Sequence, residues 1–116
     1  MNFEIISLHA EPNDAFREYV QQRLHYGLLP FEHRISKATV VFSDLKGPRS
    51  GADQHCDITL SLTAGQKIRA EGRAVSERLA LGRAAERASR QLRRLVEATE
   101  NSRRSDVQNN RYLPAA

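Results

Sequence analysis

Residues 75–96 read VSERLALGRAAERASRQLRRLV, and the rest of the chain is organised around this stretch. At 100° per residue its apolar side chains recur at helical spacing and form one stripe: Leu81, Ala85, Ala88, Leu92 and Leu95. Four arginines repeat at the same spacings, about 155° away around the helix: Arg83, Arg87, Arg90 and Arg94. The pattern predicts an amphipathic helix over residues 75–99, capped by Ser76, whose outer side suits a polyanion.

These arginines belong to a local surplus of positive charge. The whole chain of 116 residues carries +4, and residues 1–50 hold six basic and six acidic residues. Residues 67–94 hold nine basic and three acidic residues, a balance of +6. Positive charge concentrated in one segment, and mostly as arginine, favours phosphate as the partner.

Length and composition set the class of protein. A chain of 116 residues predicts one domain that buries a core without metal or disulfide staples. The single Cys56 excludes an internal disulfide and fits a reducing, cytoplasmic compartment. The sequence contains no apolar run of about 18 residues and no secretory signal pattern, so we expect no membrane partner.

Strand and helix patterns alternate along the chain. The predicted elements are a strand at 2–8, a helix at 13–29, a strand at 35–45, a loop at 46–54, strands at 55–63 and 67–73, and the helix at 75–99. Asn13 is expected to cap the first helix and Pro30 to end it. Residues 101–116 lack periodicity and predict a flexible C-terminal tail, which leaves a domain at 1–100.

The last two strands predict a hairpin. Because paired residues share a face, we expect Leu62 opposite Ile68, with residues 64–66 as a three-residue loop. The outward positions of the fourth strand then include three basic residues: Lys67, Arg69 and Arg73. The order β-α-β-β-β-α predicts an α+β two-layer sandwich, in which two helices cover one face of a four-stranded antiparallel sheet.

An ordinary solvated helix face is the alternative for the arginine row. Glu86 can pair with Arg90, and Glu97 can pair with Arg93, at spacings that stabilise a helix modestly. The acids are too few for the whole row, and they leave three arginines without partners: Arg83, Arg87 and Arg94. We therefore favour contact with nucleic acid. Base stacking is not expected, because the outward positions of strands three and four carry no aromatic residue.

The sequence gives little support for catalysis. The four histidines fall on three or four different elements, and His55 and Cys56 are adjacent strand residues that point to opposite faces. No glycine-rich phosphate loop or hydrolase motif occurs. We expect no enzyme, no catalytic residue, no metal, no cofactor and no small-molecule substrate. Gly72 is predicted to mark close packing of a strand against a helix.

Four short motifs follow one another over residues 1–95: NDAFREYV at 13–20, FEHRI at 31–35, AEG at 70–72 and RQL at 90–92. In this order they resemble the ribosome hibernation promoting factor family, also called ribosome-associated inhibitor or sigma-54 modulation protein, in its short form. The double-stranded-RNA-binding domain shares the order α-β-β-β-α but lacks the first strand.

The resemblance implies a cytoplasmic protein that binds the small ribosomal subunit and its rRNA, blocks the mRNA/tRNA channel and inhibits translation under stress. Carried over by position, and with Arg73 added from the outer face of strand four, it implies these nucleic-acid-binding residues: Arg17, Arg23, Arg34, Lys67, Arg69, Arg73, Arg83, Arg87, Arg90 and Arg94. Two alternatives stay open, a generic structured-RNA-binding module and a protein-interaction regulator of the sigma-factor type. Weak self-association through a sheet edge stays open as well.

Overall fold

The computed structural model describes residues 2–8, 12–44 and 54–112, and of residues 100–112 only the backbone. The elements in chain order are β1 (Asn2–Ser7), α1 (Asp14–Leu28), a 3₁₀ helix (Leu29–Arg34), β2 (Ile35–Asp44), β3 (Gln54–Leu62), β4 (Lys67–Ala74) and α2 (Glu77–Tyr112). This β-α-β-β-β-α order confirms the predicted α+β sandwich. The loop predicted at 46–54 lies outside the described residues, apart from Gln54, which begins β3.

The sheet is mixed, with the strand order β1-β2-β3-β4. β1 runs parallel to β2, whereas the other two neighbouring pairs are antiparallel, so the prediction of a fully antiparallel sheet is wrong at β1. α1 connects β1 to β2 and returns the chain to the end of the sheet where β1 began. A crossover of this kind is what parallel neighbours require.

The core lies between the two helices and one face of the sheet. Phe42, Cys56 and Gly72 are cross-strand neighbours on that face. Phe16 of α1 packs on Phe42, with ring centroids 5.1 Å apart. Leu81 of α2 is fully buried in the same core. Both helices therefore cover one face, and the other face carries the polar side chains of the alternating pattern.

The predicted cap residues begin both helices. The Phe16 N–H donates to Asn13 Oδ1 at 2.8 Å, which confirms Asn13 as the cap of α1. The Leu79 N–H donates to Ser76 Oγ at 3.3 Å, which confirms Ser76 as the cap of α2. Each cap satisfies an amide that the helix itself leaves without an acceptor.

α2 is longer than the sequence pattern predicts. It continues to Tyr112, so the predicted end at residue 99 is wrong for the helix backbone. No glycine or proline occurs between Gly82 and Pro114, and nothing in this stretch breaks the hydrogen-bond ladder once it has formed. The flexibility of residues 101–116 and the domain boundary near residue 100 stay predictions. Of the helices within the described ranges, none is long and apolar enough to cross a membrane.

The β3–β4 hairpin is shifted by two residues from the predicted register. Leu60 lies opposite Ile68, and the predicted pairing of Leu62 with Ile68 is wrong. The loop has the predicted length but ends at Gly65, because the Leu62 N–H donates to the Gln66 carbonyl. Gly65 has a φ of 97°, and a three-residue hairpin loop places its left-handed residue last. A shift of two preserves which side chains share a face.

Gly72 brings β4 and α2 into close contact. A Cβ at this position would overlap the Ala80 carbonyl oxygen and would stand 2.6 Å from the Ala84 nitrogen. Both neighbours are backbone atoms, which cannot turn aside as a long side chain can. The predicted role of Gly72 in strand–helix packing is confirmed.

Candidate nucleic-acid interface

Two arginines of the α2 row reach over the free edge of the sheet. Arg83 Nη1 donates to the Arg73 carbonyl at 2.6 Å, and Arg87 Nη1 donates to the Glu71 carbonyl at 2.8 Å. The hydrogen-bonding pattern of the hairpin turns the odd-numbered backbone groups of β4 outward, so both carbonyls lie on the edge. The acceptors of both arginines are backbone carbonyls and not acidic side chains, in keeping with the predicted shortage of acids. The long arginine stems reach these carbonyls by bending back from the helix surface. A carbonyl is neutral, however, and these hydrogen bonds leave both positive charges uncompensated.

An adjoining side of α2 faces α1 across an open cleft of about 460 Å³. Arg23 of α1 lines this cleft together with Arg90 and Arg93 of α2. Arg90 Nη2 lies 2.7 Å from Glu86 Oε1, which confirms the predicted i,i+4 ion pair. Three arginines and one glutamate leave the lining of this α1–α2 cleft with a surplus of positive charge.

Arg93 is a cleft residue that the sequence prediction did not include among the binding residues. It follows Glu86 by seven positions and Arg90 by three, so it shares their side of the helix. This spacing is the sequence feature that could have identified Arg93. It shows that Arg93 faces α1 only once the position of α1 beside α2 is known.

Arg78 also ties the two helices together. Its guanidinium carbon lies 4.6 Å from the centroid of the Tyr19 ring of α1, in cation–π geometry. The contact joins the beginning of α2 to the first half of α1. It helps to set how the helices lie side by side and therefore the width of the cleft.

The basic residues of β4 project from the face of the sheet that the helices leave open. Lys67, Arg69 and Arg73 are all exposed there, as their outward parity predicts. Arg69 Nε donates to Asp57 Oδ2 at 2.8 Å, and Arg69 Nη2 lies 3.3 Å from Glu71 Oε1. The hydrogen bond to Asp57, with its negative charge, raises the pKa of Arg69. Carboxylates therefore compensate the charge of Arg69.

The other three predicted residues neither line the α1–α2 cleft nor donate to the β4 carbonyls. Arg17 Nε donates to the Pro12 carbonyl at 3.3 Å, near the start of α1. Arg34 ends the 3₁₀ helix and lines a cavity of about 130 Å³ beside the β3–β4 loop. Arg94 is exposed on α2. The structure thus brings together Arg23 with Arg90, and Arg83 with Arg87, but it does not gather all ten predicted residues on one surface.

Cys56 lies in the core, not at a reactive site. Burial raises the pKa of its thiol to about 12, and the negative charges of Asp57 and Glu77 act in the same direction. A thiol that stays protonated is a poor nucleophile. In the part of the chain that the structure describes, no group of three His, Cys, Asp or Glu residues could hold a metal ion.

Comparison with known proteins decides the family. The family model of the sigma 54 modulation protein / S30EA ribosomal protein matches residues 3–100. The chain belongs to this family. Its members are ribosome-associated factors without enzymatic activity, which confirms the predicted family and the prediction of no enzyme.

Two solved structures resemble this member of the sigma 54 modulation protein / S30EA family. A ribosomal subunit interface protein from Coxiella burnetii superimposes with a TM-score of 0.70 at 18% identity, covering 84% of this chain and 99% of its own. The N-terminal domain of Protein Y from Thermus thermophilus gives a TM-score of 0.66 at 27% identity, covering 82% of this chain and 99% of its own. At its lower identity, the Coxiella protein shows the fold alone. No curated protein matches the chain significantly.

Proposed function

We propose that this chain binds rRNA of the small ribosomal subunit through its helix side and so keeps mRNA and tRNA out of their channel. Membership of a ribosome-associated family supports the target. The protein would act in the cytoplasm, where it would hold ribosomes inactive. The observation that carries the proposal is the positive charge held in fixed positions along α2.

The geometry of Arg83 and Arg87 suits phosphate binding. Their hydrogen bonds to β4 carbonyls hold the guanidinium groups in place while leaving the positive charge unneutralised. Like charges four residues apart repel by roughly 0.2–0.5 kcal/mol per pair, and a phosphate between them removes that repulsion. Side chains that are ordered before binding also lose less conformational entropy on binding. Recognition would rest on phosphate and shape, as is typical of double-stranded RNA.

The basic residues would make principal and outer contacts with the RNA. The principal contacts lie on the helix side: Arg17, Arg23, Arg83, Arg87, Arg90, Arg93 and Arg94. The outer contacts are made where RNA extends around the β4 edge and the 3₁₀ helix: Arg34, Lys67, Arg69 and Arg73. Because Arg69 already pairs with carboxylates, we expect it to contribute least.

Salt dependence of binding to isolated small subunits tests the electrostatic part. Each neutralised phosphate changes the slope of log affinity against log salt by about −0.7 to −0.9, so seven principal arginines predict a total near −5 to −6. The affinity of an isolated RNA duplex serves as the comparison. A slope close to zero would contradict the proposal, and equal affinity for the duplex would favour a generic RNA-binding module.

Preloaded subunits test the occlusion part. Small subunits that already carry mRNA and tRNA should bind the protein much more weakly than empty subunits, because both occupants need the same channel. The measurement is the bound fraction after co-sedimentation at one protein concentration. Undiminished binding to preloaded subunits would contradict channel blocking even if the protein binds the ribosome.

A further inference from the structure

The cleft between α1 and α2 is built differently from the rest of the basic surface. It is concave, about 460 Å³ in volume, and open to solvent, so an anion can enter it. Arg83 and Arg87, by contrast, lie across an exposed strand edge. A concave site with convergent arginines can surround a compact anion, whereas a convex row can only lie along an extended one.

Arginine residues line the cleft on both walls. Arg23 comes from α1, and Arg90 and Arg93 come from α2. Arg90 is paired with Glu86, whose charge it compensates, and Arg23 and Arg93 then leave a balance of +2 in the lining. The planar guanidinium donates two parallel hydrogen bonds that match the oxygen spacing of a phosphoryl group. Ser89 adds a hydroxyl donor to the same lining.

Gly27 makes room for one of these arginines. A Cβ at Gly27 would stand 3.1 Å from Arg23 Nη1, so this guanidinium lies against the bare backbone of its own helix. Glycine inside a helix is destabilising relative to alanine, and Gly27 lies within α1. A glycine at position 27 is explained if it serves to let Arg23 lie along the cleft wall, where an anion would bind.

We propose that the α1–α2 cleft is a binding site for vicinal phosphoryl groups, the chemistry of an oligophosphate. This inference deepens the proposed function and rests on it in one respect, since the cleft lies within the surface assigned to RNA. The phosphoryl groups come from one of two sources, adjoining phosphates of an RNA strand or a free oligophosphate. Arg23 and Arg93 hold the anion from opposite walls, and Arg90 shares its charge between the anion and Glu86.

Inorganic triphosphate is the probe for this site, titrated into the full chain at physiological ionic strength. Calorimetry gives affinity and stoichiometry, and backbone amide shifts report the position of binding. We expect saturable one-to-one binding with shifts at residues 23–27 and 86–93. Arg93→Gln should weaken this binding by about tenfold or more, because it removes a charge-assisted bidentate donor.

Arg94→Gln is the matched control. It removes the same charge from the neighbouring position of α2, and Arg94 does not line the cleft. Triphosphate affinity should change by no more than about twofold, as expected for an exposed charge outside the site. Equal losses in the two variants would overturn the proposal, because they would show attraction by net charge alone. Absence of saturable binding would overturn it as well.

Competition identifies the source of the phosphate. If triphosphate displaces the protein from small subunits, the cleft holds RNA phosphates on the ribosome. If triphosphate and subunits bind together, the cleft takes a free oligophosphate, and either result leaves it a phosphate site. A protein that binds triphosphate but not ribosomes would overturn the proposed function alone. A protein that binds ribosomes but no triphosphate, and is indifferent to Arg93→Gln, would overturn the cleft alone.

Discussion

The close approach of β4 to α2 at Gly72 depends on the absence of a side chain at this residue. A side chain there would meet the Ala80 carbonyl and the Ala84 nitrogen, both parts of the α2 backbone. The close approach also lets Arg83 and Arg87 reach the β4 carbonyls, because it brings their helix over the strand edge. At the scale of one residue, therefore, a packing requirement positions the charges of the proposed interface.

Gly72→Ala should destabilise the protein by about 2–4 kcal/mol, since α2 must move away from β4 to admit a methyl group. Gly82→Ala is the matched control on α2, where an added Cβ meets nothing within 4 Å. That substitution should stabilise the protein by about 0.5–1 kcal/mol through helix propensity. Urea unfolding of both variants measures the two free energies of unfolding. A neutral or stabilising effect of Gly72→Ala would contradict the packing role.

At the scale of elements, α2 protects the free edge of the sheet. β4 is an edge strand whose outward backbone groups could pair with another chain. Arg83 and Arg87 donate hydrogen bonds to two of those outward carbonyls, at Arg73 and Glu71 respectively. The arginines thus serve the fold in the free protein and, by our proposal, RNA on the ribosome.

Arg83→Ala with Arg87→Ala should therefore increase self-association through β4, because it frees two edge acceptors and removes two repelling charges. Arg90→Ala with Arg94→Ala removes the same charge from the same row without touching the edge. Sedimentation velocity over a range of protein concentrations compares the two double variants. Only the first should associate. Similar association of both variants would show that lost charge repulsion, not the exposed edge, is responsible.

Most of the elements could be predicted from periodicity, because burial of one face imposes it on strands and helices alike. Local residue chemistry also predicted the caps at Asn13 and Ser76, whose side-chain oxygens accept from amides at the helix start. The lack of a side chain at Gly72 likewise predicted its packing role. The hairpin register could not be read from parity, which tolerates a shift of two. The two registers differ in which residue ends the loop, and the left-handed backbone needed at that position favours Gly65. The glycine at position 65 was visible in the sequence.

The candidate site could be predicted as a set of charges but not as a surface. A helical projection shows Arg83 and Arg87 opposite the core, yet it cannot show that a strand edge lies within their reach. The predicted set of binding residues also lacks Arg93, because Arg93 lines a cleft that exists only where α1 packs beside α2. These features come from tertiary arrangement, which one helix does not encode by itself.

Among the described residues, the helix side and the open sheet face differ in how their positive charges are compensated. The helix side presents arginines whose charge carbonyls leave uncompensated, whereas the open sheet face pairs opposite charges, as in Lys37 with Glu4 and Arg69 with Asp57. A surface of paired charges attracts a polyanion weakly, and a surface with a surplus attracts it strongly. We therefore propose that rRNA meets the helix side.

Two matched ion pairs allow the most direct test of that claim. Arg90 pairs with Glu86 at 2.7 Å on the helix side, and Lys37 pairs with Glu4 at 2.7 Å on the sheet face. Arg90→Glu and Lys37→Glu each change the charge by the same amount and each remove one exposed pair. The measurement is co-sedimentation of both variants and the parent chain with isolated small ribosomal subunits at low salt. We predict that Arg90→Glu weakens binding by about tenfold or more and that Lys37→Glu changes it by less than about threefold. Equal effects, or a larger effect of Lys37→Glu, would contradict the assignment of the helix side to rRNA.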